Sequence, residues 1–178
     1  REEEIIKSKW VSKEYKDLWI DYFYFISKIA YFNVDKIITL FNKNLEIQHK
    51  IGAPKEKTEI IPNGVNLDKL NYFKNKTFDK DKLIIGSVLR VVPIKDVMTL
   101  IRAFKILTYN LENVYLKRIG PVDEDPKYYK QCKDLVNMLK LNEKVEFTGK
   151  VDVLEYYKEM DCLVLTSISE GQPLVILE

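Results

Sequence analysis

LIIGSVLRVVPIKDVMTLIRAFKILTYNLENVYLKRIG, residues 83–120, carries an apolar run, a Pro-containing turn, an amphipathic segment and a second apolar run in that order. LIIGSV and VYLKRIG have the length and β-branched content of strands, and DVMTLIRAFKILTY between them has the 3.6-residue period of a helix. The same alternation continues with helix DPKYYKQCKDLVNMLK, strand KVEFTG, helix DVLEYYKEM, strand CLVLTS and a last helix opening at GQPLVILE. Strands that alternate with helices predict an α/β fold, a parallel sheet flanked by helices.

Working back from residue 83, the pattern loses its period and turns polar from Val65 to Lys82, as a connection between two bodies does. Before it, Thr58 to Ile61 reads as a short strand entering the turn PNG, where Asn63 and Gly64 supply backbone freedom. The segment NKNLEIQHKI reads as a helix capped by Asn42 and stopped by Gly52 and Pro54. VDKIITL, from Val34 to Leu40, reads as a strand. From Glu2 to about Tyr31 there is neither Gly nor Pro, which predicts one long or kinked helix. Within it LWIDYFYFISKIAYF is interrupted by Asp21, Ser27 and Lys28 and is shorter than the roughly 20 apolar residues of a spanning helix. The set Tyr22, Phe23, Phe25, Ile26, Ile29 and Ala30 is expected to pack into a core.

The bulk numbers exclude several classes. With 46% hydrophobic and 31% charged residues the 178-residue chain does not read as disordered. The 29 basic and 27 acidic residues leave a net charge of +2, no broad field for nucleic acid, so an anion site must be local. Cys132 and Cys162 form no CxxC, and His49, on a polar stretch, is the only histidine. Neither a disulfide framework nor a zinc cluster is indicated, and a reducing cytoplasm is the natural compartment. The chain opens at Arg1 without a methionine and closes on an apolar run at Glu178, which reads as a piece of a longer protein.

Ligands of an open parallel sheet bind beyond the carboxyl ends of its strands, so the informative loops follow Val88, Ile119, Phe147 and Thr166. After the first comes LRVVPIKD. There Arg90 offers a planar fork of donors and Lys95 a compact charge, a pair able to neutralise a diphosphate, though solvated loop charges look the same. After the last strand comes SISEGQPLVILE. Gly171 and Pro173 open a helix whose free amides suit an anion, and Glu170 and Glu178 return to roughly the same side. Two carboxylates so placed can accept from sugar hydroxyls; they can equally be a helix-start acid and a surface residue.

EGQPLVILE resembles the Glu, seven residues, Glu signature of the retaining glycosyltransferase family 4, a family of the two-domain GT-B fold. GSVLRVVPIKD resembles that family's Arg-x4-Lys loop, and TEIIPNGVNLDKL the linker that ends its N-terminal domain. VVPIKDV, IGPVDEDPKYY, FTGKVDV and VLTSISEGQPLVILE together resemble the branch that includes the Pel exopolysaccharide glycosyltransferase.

The resemblance implies two Rossmann-like domains, both incomplete in this chain. Residues 1–66 would be the end of the acceptor-side domain, 67–81 the linker, and 82–178 an incomplete nucleotide-sugar-binding domain. It implies that Arg90 and Lys95, with the amides of Gly171, Gln172, Pro173 and Leu174, hold the donor diphosphate. Glu170 is the catalytic carboxylate on the transferred sugar, Glu178 binds the ribose, and Thr148 and Gly149 lie near the base.

The implied reaction moves a hexose from a nucleotide sugar, UDP-glucose, to a growing polysaccharide or other glycan. It retains configuration by front-face attack and requires neither cofactor nor metal, because the cations stabilise the leaving group. A cytoplasmic location, at the inner face of the cell membrane beside a membrane-embedded polysaccharide synthase, is implied with it, and the piece itself is expected to be inactive and poorly stable. Competing readings are a GT-B nucleotide-sugar epimerase or phosphorylase, an inactive scaffold, and a metal-dependent enzyme using Asp79-Lys80-Asp81 or Asp123-Glu124-Asp125. No GxGxxG supports a dinucleotide oxidoreductase.

Overall fold

The apolar runs of the second half assemble into one parallel sheet. The computed structural model describes residues 12–70 and 81–178, and its chain divides into two compact units, Arg1–Asn63 and Gly64–Glu178. In the first unit a single 3-10 turn, Lys13–Tyr15, leads into α1 (Lys16–Asn33), followed by β1 (Ile37–Thr39), α2 (Asn42–Ile51), a 3-10 turn at Lys55–Lys57 and β2 (Thr58–Ile60). β1 and β2 pair in parallel, Ile37 opposite Thr58 and Thr39 opposite Ile60.

Two expectations for this unit are corrected. Asn42 is the first residue inside α2 rather than its cap; Phe41, extended, holds the cap position and offers no side-chain acceptor. The aromatic set does not form a core: among the described residues α1 buries none of its side chains, and Tyr22 and Phe25 are 51% and 61% exposed. An 18-residue helix meets here only one 10-residue helix and two three-residue strands, too little surface to cover it. Trp19, Tyr22 and Phe23 pack on one another instead, with centroids 5.7 to 5.8 Å apart. The expected start of that helix before residue 12 lies outside the described residues. Among the described residues no helix is long and apolar enough to cross a membrane. His49 is half-buried, its Nε2 2.7 Å from Thr58 Oγ1, and so ties α2 to β2. Gly52, at φ 115°, ends α2 by donating to the Gln48 and His49 carbonyls, a left-handed position that favours glycine.

The second unit opens with a single helical turn, α3 (Leu67–Leu70), in the stretch expected to be aperiodic; residues 71–80 lie outside the described set. Then come β3 (Leu83–Val88), α4 (Val97–Leu107), β4 (Val114–Ile119), α5 (Pro126–Met138), β5 (Val145–Gly149), α6 (Val153–Glu159), β6 (Cys162–Leu163) and α7 (Leu174–Leu177). The sheet order is β5-β4-β3-β6, all parallel, with β3 and β4 paired from Leu83 opposite Val114 to Val88 opposite Ile119. Crossover helices between parallel neighbours are what the alternating sequence demands.

Each of the three longer helices after β3 starts on an aspartate whose carboxylate accepts a backbone amide: Asp96 from Thr99, Asp125 from Tyr128 and Asp152 from Leu154. Val97, Leu100, Ile101 and Phe104 on α4, Val114 and Leu116 on β4, and Cys132, Leu135 and Val136 on α5 form the core. The expected strand CLVLTS is shorter than its apolar pattern: β6 pairs only at Cys162 and Leu163, and Val164 adds one bond to the Gly86 carbonyl at 2.9 Å. Beyond that point the chain leaves the sheet to run along the loop after β3. Both cysteines are free thiols.

Ile101 is fully buried whereas Ile106 on the same helix is 65% exposed. Ile101→Ala should therefore cost about 2–4 kcal/mol of unfolding free energy in the intact protein and Ile106→Ala less than about 0.5 kcal/mol, read from denaturant midpoints.

Candidate functional site

The loops at the carboxyl end of this sheet are bonded to one another. Leu89 and Val91 donate to the carbonyls of Ile119 and Pro121 at 3.0 and 2.9 Å, which stitches the loop after β3 to the loop after β4. Gly120 donates to the Gly149 carbonyl at 3.0 Å, bringing in the loop after β5, where Thr148 Oγ1 donates to that same carbonyl at 3.1 Å. Ile168 donates to Ile94 at 2.9 Å, and Thr166 Oγ1 donates to Asp96 at 3.0 Å, so the chain after β6 lies against the basic turn. Gly120 is where two of these loops come close: at φ 126° a Cβ there would stand 2.4 Å from the Leu89 carbonyl oxygen.

On this frame Lys95 closes a single 3-10 turn, Pro93–Lys95, and its Nζ meets Glu170 Oε1 at 2.5 Å across 75 residues of sequence. Both side chains are largely withdrawn from water, 15% and 25% exposed. Burial works to raise the Glu170 pKa, but the Lys95 hydrogen bond, a weaker pull from the nearby Ser167 hydroxyl, which lacks the geometry of a formed bond, and the charges of Lys95 and Arg90 together bring it below its ordinary value. Arg90 thus acts on Glu170 through space, while its own guanidinium pairs with Glu124 at 2.8 Å in an exposed ion pair.

The structure brings Arg90, Lys95 and Glu170 together. Glu178 is not joined to that trio by any hydrogen bond or ion pair among the described residues; it accepts from Tyr157 Oη at 2.5 Å and lines a separate cavity of about 300 Å³ with Tyr157, Met160, Cys162 and Ile176. Burial, then the Glu178 carboxylate, pushes the Tyr157 phenol upward, so it donates at every ordinary pH. The segment Gly171, Gln172, Pro173, Leu174 leads into α7, but the helix begins at Leu174, with Pro173 in the cap position, three residues after the expected opening at Gly171.

Two contributors, Arg118 and Thr166, were given no role in the sequence, and Glu124 was named there only within a competing metal-binding triplet. Arg118, 1% exposed, donates to the Ser87 and Ile119 carbonyls at 2.9 and 2.6 Å and also to the Leu89 carbonyl. Its signal was a charge inside VYLKRIG, a strand with neighbours on both sides, where apolar residues are the rule. Thr166 gave no signal, because a loop hydroxyl looks like any other, and the acidic triplet containing Glu124 pointed to a metal rather than to Arg90. The acidic triplet around Glu124 is occupied: Asp125 caps α5 and Glu124 holds Arg90.

The four-stranded parallel sheet with charged groups at its strand ends follows a second α/β unit in the chain, and its likeness to solved glycosyltransferase structures makes it the GT-B type of fold in part. Residues 68–178 match the profile of the family described as glycosyl transferases group 1, and the chain belongs to that family of transferase enzymes. Residues 1–56 match a domain of unknown function. An uncharacterized glycosyltransferase of Methanocaldococcus jannaschii is 28% identical over 160 residues, 85% of this chain and 38% of that protein, so the chain spans about two-fifths of that relative's length. The Anabaena protein HepE in complex with UDP and glucose superposes with a TM-score of 0.68 at 20% identity, over 81% of this chain and 41% of its own. Sucrose-phosphate synthase of Thermosynechococcus elongatus superposes with a TM-score of 0.69 at 21% identity, covering 98% of this chain and 44% of its own.

The Glu170 pKa lies below its ordinary value near 4.5, so its pair with Lys95 stabilises the fold above that pH and ceases to do so as pH falls through the folded-state value. Wild-type stability should thus fall more steeply than that of Glu170→Gln as pH is lowered from about 5. Parallel stability curves in urea titrations would show that the pair contributes nothing.

Proposed function

We propose that the protein carrying this chain is a retaining glycosyltransferase that moves a hexose from a nucleotide sugar, UDP-glucose, to a growing polysaccharide or other glycan acceptor. The contact of Lys95 with Glu170, within electrostatic reach of Arg90, carries the proposal. It supplies two cations and a sugar-binding carboxylate at the mouth of a parallel sheet, where this architecture receives ligands. The resemblance to family 4 and its Pel-like branch and the presence of UDP in the HepE complex support the same reading.

Lys95 and Arg90 would receive the two phosphates, and the amides of Gly171, Gln172, Pro173 and Leu174 would complete the grip. As the bond from the anomeric carbon to the phosphate oxygen lengthens, negative charge grows on the diphosphate and positive charge on the sugar ring. Fixed cations stabilise the first, and the Glu170 carboxylate, held ionised by Lys95, faces the hydroxyls of the second. The departing phosphate oxygen takes the acceptor's proton on the face from which the acceptor attacks, which retains configuration. Arg90 shares an exposed ion pair with Glu124, so a diphosphate would draw it from that carboxylate while Lys95 stays beside Glu170. Glu178 would bind the ribose after leaving Tyr157, with Thr148 and Gly149 near the base. In this proposal residues 1–66 belong to the acceptor-side domain, 67–81 to the linker and 82–178 to the donor domain. The protein works at the cytoplasmic face of the membrane beside a polysaccharide synthase and needs neither metal nor cofactor.

Lys95→Ala and Arg90→Ala should each lower kcat/KM for the donor by about a hundredfold in the intact protein, and Glu170→Gln should lower kcat more than it raises KM. A panel of UDP- and GDP-sugars with product analysis decides the class. Lengthened acceptor with retained anomeric configuration supports the proposal, free altered sugar points to an epimerase, and unchanged kinetics in both cation variants removes the diphosphate assignment.

A further inference from the structure

We infer that Arg118 is a positioning residue for the diphosphate-binding turn, an inference that rests on the donor-side reading above. Its three acceptors surround that turn. Ser87 lies within β3, Ile119 ends β4, and Leu89 is joined by its carbonyl directly to the nitrogen of Arg90. The guanidinium therefore holds the peptide plane from which Arg90 springs, while the Leu89 and Val91 amides pin either side of Arg90 to Ile119 and Pro121. Gly120 leaves room for the Leu89 carbonyl to be held this close.

A buried cation needs strong reason to persist, since desolvation works against it. Burial draws the Arg118 pKa down to about 10, which leaves it charged at neutral pH. No carboxylate pairs with it among the described residues, and its Nε has no partner. The carbonyl dipoles solvate it in place of a counter-ion, and an anion seated at the mouth of the sheet would add the missing opposite charge. A lysine in this place keeps the charge but has no planar fork to span three carbonyls. The apolar alternatives that suit an internal strand would leave the Ser87, Leu89 and Ile119 oxygens to fewer partners.

The inference separates two consequences of losing the fork. Damage confined to the turn weakens the grip on a second phosphate, whereas general loosening of the fold weakens all binding. Calorimetric titration of the intact protein with UDP and with UMP reads this difference. Arg118→Lys should bind UDP about tenfold more weakly and UMP less than about threefold more weakly. An unchanged ratio of the two affinities overturns the inference and leaves the donor reading intact, whereas no UDP binding by the wild type sinks both. Hydrogen exchange on the wild type makes the second test, independent of whether the variant folds. UDP should slow exchange at the Leu89 and Val91 amides more than at the Leu116 amide, which bonds to Lys144 away from the turn. Equal or no slowing at Leu89 and Val91 overturns the inference.

Discussion

A guanidinium with only 1% of its residue's surface exposed must be satisfied by the protein around it, and Arg118 meets that demand with carbonyls at the carboxyl end of the sheet. Those oxygens belong to two adjacent strands and to the first residue of the loop that follows β3. Satisfying one buried charge therefore fixes the relative position of several backbone segments. The remaining bonds of the region, Leu89 to Ile119, Val91 to Pro121 and Gly120 to Gly149, complete a frame in which three successive loops share their polar groups. Arg90, Lys95 and Glu124 are presented from loops of that frame.

The cations carried by the frame differ in their surroundings. Lys95 and Glu170 are mostly withdrawn from water, so Lys95 favours the charged form of Glu170 and each fixes the other's rotamer. Arg90 and Glu124 are roughly half exposed, and such a pair contributes little and exchanges easily. Under the proposed reading this difference matters for donor entry: Arg90 is the readier to change partners, while Glu170 remains ionised beside Lys95. Ser167, whose hydroxyl is buried without a hydrogen-bond partner, stands next to this pair and is a further polar group at the same place.

The two units differ in how much they can bury. The second has a core drawn from two helices and the inner strands of a four-stranded sheet. The first pairs two short strands and lays an 18-residue helix with exposed Leu18, Tyr22, Phe25 and Phe32 beside them. Amphipathic spacing on α1 shows that its residues suit a core. It does not show that enough neighbouring surface is present to make one, which is why the packing expected from the sequence is not found.

The sequence alone determined the order and type of the elements from β3 onward, the parallel sheet, the aspartates at the starts of α4, α5 and α6, and the loop positions of Arg90, Lys95 and Glu170. These follow from periodicity and local backbone chemistry, which nearby residues decide among themselves. It could not decide that β6 pairs at only two residues, that α1 stays uncovered, or that Glu178 turns to Tyr157, since each depends on what lies alongside. Nor could it bring Lys95 to Glu170 or assign Arg118 its three carbonyls. Those contacts join residues tens of positions apart, and only the stacking of parallel strands sets which loop ends meet.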